Sequence, residues 1–193
     1  MPDIEETGRA EASDSWYCLD ADDRIIAVGG GHWTSAGRSV VGTNIYDHVS
    51  GHFTRRFLKE FLGRARTGGV STRQCYRCDA LDAKRLMEMC AEMEDGRVLR
   101  VVHRGLAVSA LPFQVQVREV PRTKARHLRC SSCNRLRGRN DDAWREPEDA
   151  LKAGEIALVV HTICPECRRG IDMRRQSGIF TTADLARQQV PRR

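Results

Sequence analysis

The chain has 193 residues, of which 40% are hydrophobic and 30% are charged, so it is long enough for one ordinary domain and a small second one. No run of about 18 apolar residues is present, which excludes a transmembrane helix of ordinary length and predicts no membrane contact. The first 15 residues lack the apolar stretch of a secretory signal, so we expect a cytoplasmic protein. In that reducing compartment, CxxC pairs are more often metal-binding or catalytic than structural disulfides.

The net charge of +6 is concentrated in the second half of the chain. Residues 1–117 carry 15 basic and 16 acidic side chains, a net charge of −1, whereas residues 118–193 carry 17 and 10, a net charge of +7. A basic half can bind nucleic acid, an acidic protein or an anionic surface, or it can simply be solvated. Composition leaves these alternatives open.

The first predicted elements are a tail and a pair of strands. Residues 1–13 contain few apolar residues and no period, which predicts a disordered tail. The apolar runs 16–19 and 24–28 flank an acidic turn and predict two paired strands. The three glycines at 29–31 match no phosphate-binding loop, because neither GK[ST] nor GxGxxG accompanies them.

A helix and three more strands are predicted next. Apolar residues recur at helical spacing from Phe53 to Ala65, which predicts an amphipathic helix with a core-facing aromatic stripe, ended by Gly68-Gly69. The turn pair Asp95-Gly96 is typical of a hairpin. The predicted strands are 70–78, 84–94 and 97–111. This order predicts an α+β fold, in which helices cover one side of a five-stranded antiparallel sheet.

Two stretches in this first half resemble the PAS domain, over about residues 14–112. Gly42-Thr43-Asn44-Ile45-Tyr46 is similar to the step before the family's long helix. Tyr76-Arg77-Cys78-Asp79, followed by Lys84-Arg85-Leu86-Met87, resembles a "yRCDsp..rR.m" stretch of small bacterial PAS proteins. The resemblance implies a sensory or signalling domain without catalytic activity, usually a homodimer, that can hold a small ligand between its sheet and helices.

Two CxxC pairs organise the second half: Cys130 with Cys133, and Cys164 with Cys167. Two intervening residues let both sulfurs of a pair turn toward one metal ion, so four thiolates predict a tetrahedral Zn²⁺ site. Such a site is structural, because no coordination position remains for water. The alternative is two disulfides or free core thiols. His161 can replace a thiolate, although a packing role fits as well.

The second half continues the resemblance. Leu128 to Leu136, Trp144 and His161 to Cys167 are similar to a "CswC…W…hgICPeC" tail that follows PAS or receiver domains in bacterial signalling proteins, with Thr162 where glycine is usual. Within the spacer we expect a short helix at 148–152 and a strand at 156–160, and Cys167 begins a helix as in treble-clef zinc folds. The predicted organisation is a tail at 1–13, a PAS-like domain at 14–117, a basic linker at 118–126, a zinc module at 127–172 and a polar basic tail at 173–193.

Other chemistry-bearing residues give weaker patterns. Cys75 and Cys78 form a third CxxC pair, but residues i and i+3 of a strand point to opposite faces. We therefore interpret Cys78 as facing the core or a ligand cavity, with a redox role as the alternative. Cys18 and Cys90 are expected to behave as small hydrophobic residues. A haem would need an axial ligand, and the available histidines are His32, His48, His52 and His103.

Three functional hypotheses follow. The first is a non-enzymatic sensor, whose PAS-like domain receives a ligand or partner and whose zinc module contacts a signalling protein. The second is a nucleic-acid-binding regulator that uses the basic module. Its candidate contacts are Arg135, Arg137, Arg139, Arg168, Arg169, Arg174 and Arg175. The third is a haem or redox sensor.

Overall fold

The structure is a computed structural model that describes residues 14–30, 40–68 and 71–177, and only the backbone from residue 172 on. The strands are β1 (Ser15–Leu19), β2 (Ile25–Gly30), β3 (Thr72–Arg77), β4 (Ala83–Glu94), β5 (Val98–Ala110), β6 (Gln116–Glu119), β7 (His127–Cys130), β8 (Leu136–Gly138) and β9 (Ile156–Thr162). The helices are a 3₁₀ turn (Ile45–His48), α1 (His52–Gly68), α2 (Pro147–Ala150) and α3 (Pro165–Ser177). The predicted tail at 1–13 and the chain beyond residue 177 lie outside the described residues.

The first sheet confirms the predicted five-stranded antiparallel arrangement. Its strand order is β2-β1-β5-β4-β3, so β1 pairs with both β2 and β5, and β3 forms one edge. Strands β4 and β5 are long, and the turn between them holds Asp95 and Gly96 at φ values of 50° and 67°. A turn with positive φ at two successive residues matches the right-handed twist of the strands it joins.

Helix α1 covers one face of this sheet and supplies much of its core. The helix buries Leu58, Phe61, Leu62 and Ala65 beside core residues of β1, β2, β4 and β5. Fully burying a side chain such as Phe61 contributes about 2–3 kcal/mol. The predicted aromatic stripe is only partly correct, because Phe53 is 47% exposed near the start of the helix. Its ring lies 5.6 Å from the guanidinium carbon of Arg168 in α3.

A second, four-stranded sheet carries the cysteine-rich half. Its order is β6-β9-β7-β8, with β6 and β7 parallel to β9 and β8 antiparallel to β7. Val115, Leu136, Leu151, Ala157 and Val159 form a separate small core under it. The segment between the two CxxC pairs therefore forms strands and a short helix of its own.

The sequence-based boundary between residues 117 and 118 falls inside strand β6. Gln116–Glu119 pairs with β9 along its whole length, so this segment belongs to the second sheet. Within the expected linker, Ala125 is buried and the Arg126 N–H donates to the Leu158 carbonyl. The segment shows no period because it forms one short edge strand and a turn.

Three smaller boundaries also differ from the predictions. Helix α2 is one turn at Pro147–Ala150 rather than at 148–152, and β9 continues to Thr162. Helix α3 begins at Pro165, before Cys167, because proline is favourable in the first turn of a helix. It reaches Ser177, so the predicted polar tail at 173–193 begins within it.

Gly51 marks the place where the start of α1 meets the second sheet. Its φ is +84°, and an added Cβ would lie 2.9 Å from the Cβ of His161 in β9. An L-residue is disfavoured at such a φ, and the neighbouring atoms leave no space for it. Gly63, in the same helix, has nothing within 4 Å of an added Cβ.

We expect Gly51→Ala and Gly63→Ala to change stability in opposite directions. Gly51→Ala should destabilise the protein by about 1–3 kcal/mol through backbone strain and the contact with His161. Gly63→Ala should stabilise it by up to about 1 kcal/mol, because alanine is the better helix former. Urea unfolding followed by circular dichroism measures both. Equal midpoints for the two variants would show that α1 does not meet β9 as described.

Candidate functional site

The four predicted ligands converge. The sulfur atoms of Cys130, Cys133, Cys164 and Cys167 all lie within 4.8 Å of one another, and those of Cys133 and Cys164 are 3.8 Å apart. The first pair lies in the turn between β7 and β8, and the second pair lies around the first turn of α3. All eight cysteines of the chain are free thiols. The structure therefore places the sulfurs as a cluster, without a disulfide among them.

Backbone hydrogen bonds shape both turns and point toward the sulfurs. The Cys164 N–H donates to the Cys130 sulfur over 3.3 Å, and the Cys167 N–H donates to the Cys164 sulfur over 3.4 Å. The first turn is closed by the Asn134 N–H on the Cys130 carbonyl, with Asn134 at a φ of 60°. Asparagine tolerates this left-handed conformation better than most residues.

This arrangement can hold a metal ion such as zinc. Zn²⁺ binds thiolate sulfur at about 2.3 Å in a tetrahedron, which puts neighbouring sulfurs about 3.8 Å apart. Cys130 and Cys164 are fully buried, and Cys167 is 6% exposed. Both the geometry and the N–H donors thus suit thiolate ligands.

His161 is not part of the sulfur cluster. Its Nδ1 lies 3.4 Å from the hydroxyl of Ser131, and its ring lines a cavity on the other side of the first CxxC turn. Burial, together with the charge of Arg129, lowers the pKa of His161. The packing interpretation of this histidine therefore fits the structure.

The Cys130–Cys133 turn is docked on the first sheet. The Arg77 N–H, at the end of edge strand β3, donates to the Ser132 carbonyl over 2.8 Å. The Thr54 hydroxyl of α1 donates to the Ser131 hydroxyl over 2.6 Å, and the Asn134 amide donates to the Arg77 carbonyl over 3.3 Å. An edge strand has backbone groups free to accept such a partner.

A cavity of about 560 Å³ lies between two units. The first unit is the five-stranded sheet with α1, and the second unit is the four-stranded sheet with α2 and α3. The first unit contributes the apolar residues Ile45, Val49, Phe57, Leu58 and Met89, together with polar residues that include His48, Thr54 and Gln74. The second unit contributes the polar residues Arg129, Ser131, Ser132, Asn134 and His161, together with Ile163 and Ile171. The volume falls within the range of about 300–1,000 Å³ that is typical of small-molecule sites.

Two tyrosines and a histidine from the first sheet also line the cavity. The Tyr76 hydroxyl is 2.6 Å from Nδ1 of His103, and the His103 ring centroid lies 5.6 Å from that of Tyr17. Burial raises the pKa of both tyrosines, so they stay protonated at neutral pH. These side chains offer hydroxyl and imidazole groups to a ligand.

Beside the cavity, a partly buried ion-pair network joins the units. Arg77 donates to both oxygens of Asp79, at 3.0 and 2.5 Å, and also to Glu146 just before α2. Lys84 and Arg135 reach the same Glu146 carboxylate, at 3.2 and 3.0 Å. Burial alone would raise the pKa of Glu146, but the hydrogen bond and charge of Arg77 lower it overall. The ion pairs of the Glu146 carboxylate therefore stabilise the fold above the ordinary carboxyl pKa. This stabilisation is lost as the pH falls through the lowered pKa of Glu146.

The other sequence-predicted residues are distributed around this centre. Cys78 lines the cavity and Cys75 is buried on the strand before it, while Cys18 and Cys90 are buried as expected. His48 and His103 also line the cavity, the His52 ring packs against Phe53, and His32 lies outside the described residues.

Several of the predicted basic contacts are engaged within the protein. Arg135 forms ion pairs with Glu146 and Glu166, and Arg137 lies over the Trp144 ring at 5.7 Å. The side chains of Arg174 and Arg175 lie outside the described residues. Sequence reasoning did not identify Arg77 or Arg129 as cavity residues, because the residues that line the cavity come from distant parts of the chain.

Comparison with known proteins adds no assignment. No family model matches this chain, and neither a curated protein nor a solved structure matches it. No described helix is long and apolar enough to cross a membrane. The functional argument therefore depends on the site itself.

We expect Arg77→Met to be much more damaging than Arg145→Met. Removing Arg77 leaves Asp79 and Glu146 partly buried without their main cation, which should cost about 3–5 kcal/mol. Arg145 pairs with Asp141 on the surface, where a side chain 52% exposed contributes under about 1 kcal/mol. The two variants remove the same charge, so their unfolding free energies in urea separate burial from net charge. Similar values would contradict the described network.

Proposed function

We propose that this protein is a non-enzymatic sensor in which a PAS-like domain receives a small ligand and a four-cysteine zinc module transmits the signal. The observation that carries the proposal is the shared wall of the cavity. The Cys130–Cys133 turn supplies two sulfurs to the metal cluster and, through Ser131 and Ser132, lines the cavity. A ligand and the metal centre therefore touch the same few residues.

Three features support a PAS-like first unit. It has a five-stranded antiparallel sheet, a helix on one face and a cavity beside that helix. The Arg77 and Asp79 side chains of the Tyr76-Arg77-Cys78-Asp79 stretch form the ion pair that connects the first unit to Glu146. The most specific part of the resemblance is thus the part that meets the second unit.

The metal is proposed to be Zn²⁺ in a structural role. Four thiolates complete a tetrahedron and leave no position for a reacting water. One pair follows a strand and the other opens helix α3, an order similar to treble-clef zinc modules. The small second core has few buried side chains, so the ion would contribute a large share of its folding free energy.

The output is proposed to be contact with a signalling protein in the cytoplasm, with the chain acting as a homodimer. These proposals follow from the resemblance, which implies signalling through dimers. The nucleic-acid alternative draws on the net charge of +7 beyond residue 117. It has less support at Arg135, whose charge is neutralised by Glu146 and Glu166. The haem alternative draws on His48 and His103 in the cavity wall.

Metal content tests the proposal directly. We expect about one zinc ion per chain in the purified protein and almost none in Cys164→Ser, because three thiolates bind far more weakly than four. Cys18→Ser removes a buried thiol outside the cluster and should keep the metal. Treating the wild type with a strong chelator should abolish the unfolding transition of the second unit.

Three further measurements distinguish the alternatives. Zinc-free protein with an unchanged unfolding curve would contradict the structural metal. A visible absorption band of the purified protein would favour the haem alternative. Salt-dependent binding to duplex DNA, lost between low and moderate salt, would favour nucleic-acid recognition.

A further inference from the structure

We propose that the cavity binds a small organic carboxylate, with the carboxylate held by Arg129 of the second unit and the apolar body lying against the first unit. The inference rests on the proposed sensory function and names the chemical class of its ligand. It depends on the guanidinium of Arg129 in the cavity wall, which is unpaired among the described residues, and on the apolar residues that line the same cavity.

Arg129 is the arginine of the cavity lining for which the described residues provide no ion-pair partner. Its side chain is partly buried and lines the cavity. Among the residues that the structure describes, none forms a hydrogen bond or an ion pair with its guanidinium group. A partly buried guanidinium has five N–H donors to satisfy, and a carboxylate matches two of them in a bidentate pair.

The neighbouring charged side chains do not accept hydrogen bonds from the Arg129 guanidinium. Asp79 also lines the cavity and interacts electrostatically with Arg129, but its oxygens accept from Arg77 and from the Arg85 N–H. Arg77 is in turn engaged by Asp79 and Glu146. The positive charge of Arg129 therefore remains in the cavity wall after the ion pairs are formed.

Hydrogen-bonding groups surround Arg129 on the same side. Ser131, Ser132 and Asn134 follow it in the chain and line the cavity, and His161 is its paired residue on β9. Arg129 also borders a smaller cavity of about 290 Å³ next to Asp79. That cavity lacks the serine and asparagine lining, so the larger one is the better anion site.

The apolar residues of the first unit determine which kind of ligand body fits beside the carboxylate. Phe57, Leu58 and Met89 present apolar surface from α1 and β4. A phosphate group normally needs several cations or a helix N-terminus. Of the two guanidinium groups in the cavity lining, Arg77 is already paired with Asp79 and Glu146. The single guanidinium of Arg129 beside apolar surface suits a carboxylate on a hydrocarbon or aromatic body. We therefore assign the carboxylate class.

The test compares acids with their neutral amides. The probes are phenylacetate, 4-phenylbutyrate and octanoate, each paired with its primary amide, titrated into zinc-loaded protein by calorimetry. At least one acid should bind ten- to a hundredfold more tightly than its amide, since a hydrogen-bonded charge pair contributes about 1.5–3 kcal/mol. Amide-proton shifts of Ser131 and His161 on binding should locate the probe in the cavity.

Arg129→Gln should remove the preference for the acid, and Arg129→Lys should restore part of it. Arg126→Gln, which removes an exposed arginine three residues away, should leave it unchanged. The acid-to-amide comparison in the wild type needs no variant, so it decides the question even if Arg129→Gln does not fold.

Two results would overturn the assignment. One is equal binding, or no binding, of all acids and amides to the zinc-loaded wild type. The other is an unchanged acid preference in a folded Arg129→Gln variant, because a group other than Arg129 would then hold the carboxylate. Neither result removes the structural metal or the sensor fold, whose failure appears separately in the metal analysis.

Discussion

The position of one turn constrains this structure more than any other feature. Cys130 to Cys133 must point two sulfurs toward the pair from α3 and, at the same time, present Ser131 and Ser132 to the first unit. A turn of this length can satisfy both demands only if the sulfur cluster and edge strand β3 stay in fixed positions. The cavity exists because these two anchors leave space between them.

This constraint suggests how a signal could pass without catalysis. A ligand bound in the cavity would contact Ser131, beside the sulfur cluster, and His161, on strand β9. Strand β9 is central in the second sheet, between β6 and β7. A small shift of the turn would therefore be carried to the whole second unit, because packed sheets move as rigid elements rather than deforming continuously.

Local pattern was sufficient to predict the first sheet and the sulfur cluster. Alternation in β4, the Asp95-Gly96 turn and the apolar spacing of α1 are short-range signals, and the CxxC spacing fixes how two sulfurs face one ion. The pairing that crosses the predicted boundary at 117 could not be recognised in this way. Strand β6 is four residues long and pairs with β9 about 40 positions later, so nothing near it in the chain identifies its partner.

The residues that line the cavity could not be predicted from local sequence patterns either, because they come from distant segments. Their charges explain why they are important. Arg77 and Glu146 are 69 positions apart, and neither is distinctive alone. Removing a cation from water costs free energy unless a partner offsets it. Arg77 has two carboxylates, whereas Arg129 has no ion-pair partner among the described residues and interacts over longer distances with Asp79, Cys78, Arg77 and Cys130. Arg129 precedes Cys130 in the chain, so a metal centre of four thiolates would place a net negative charge beside this guanidinium. A carboxylate in the cavity and the metal centre would then share Arg129 as their neighbouring cation.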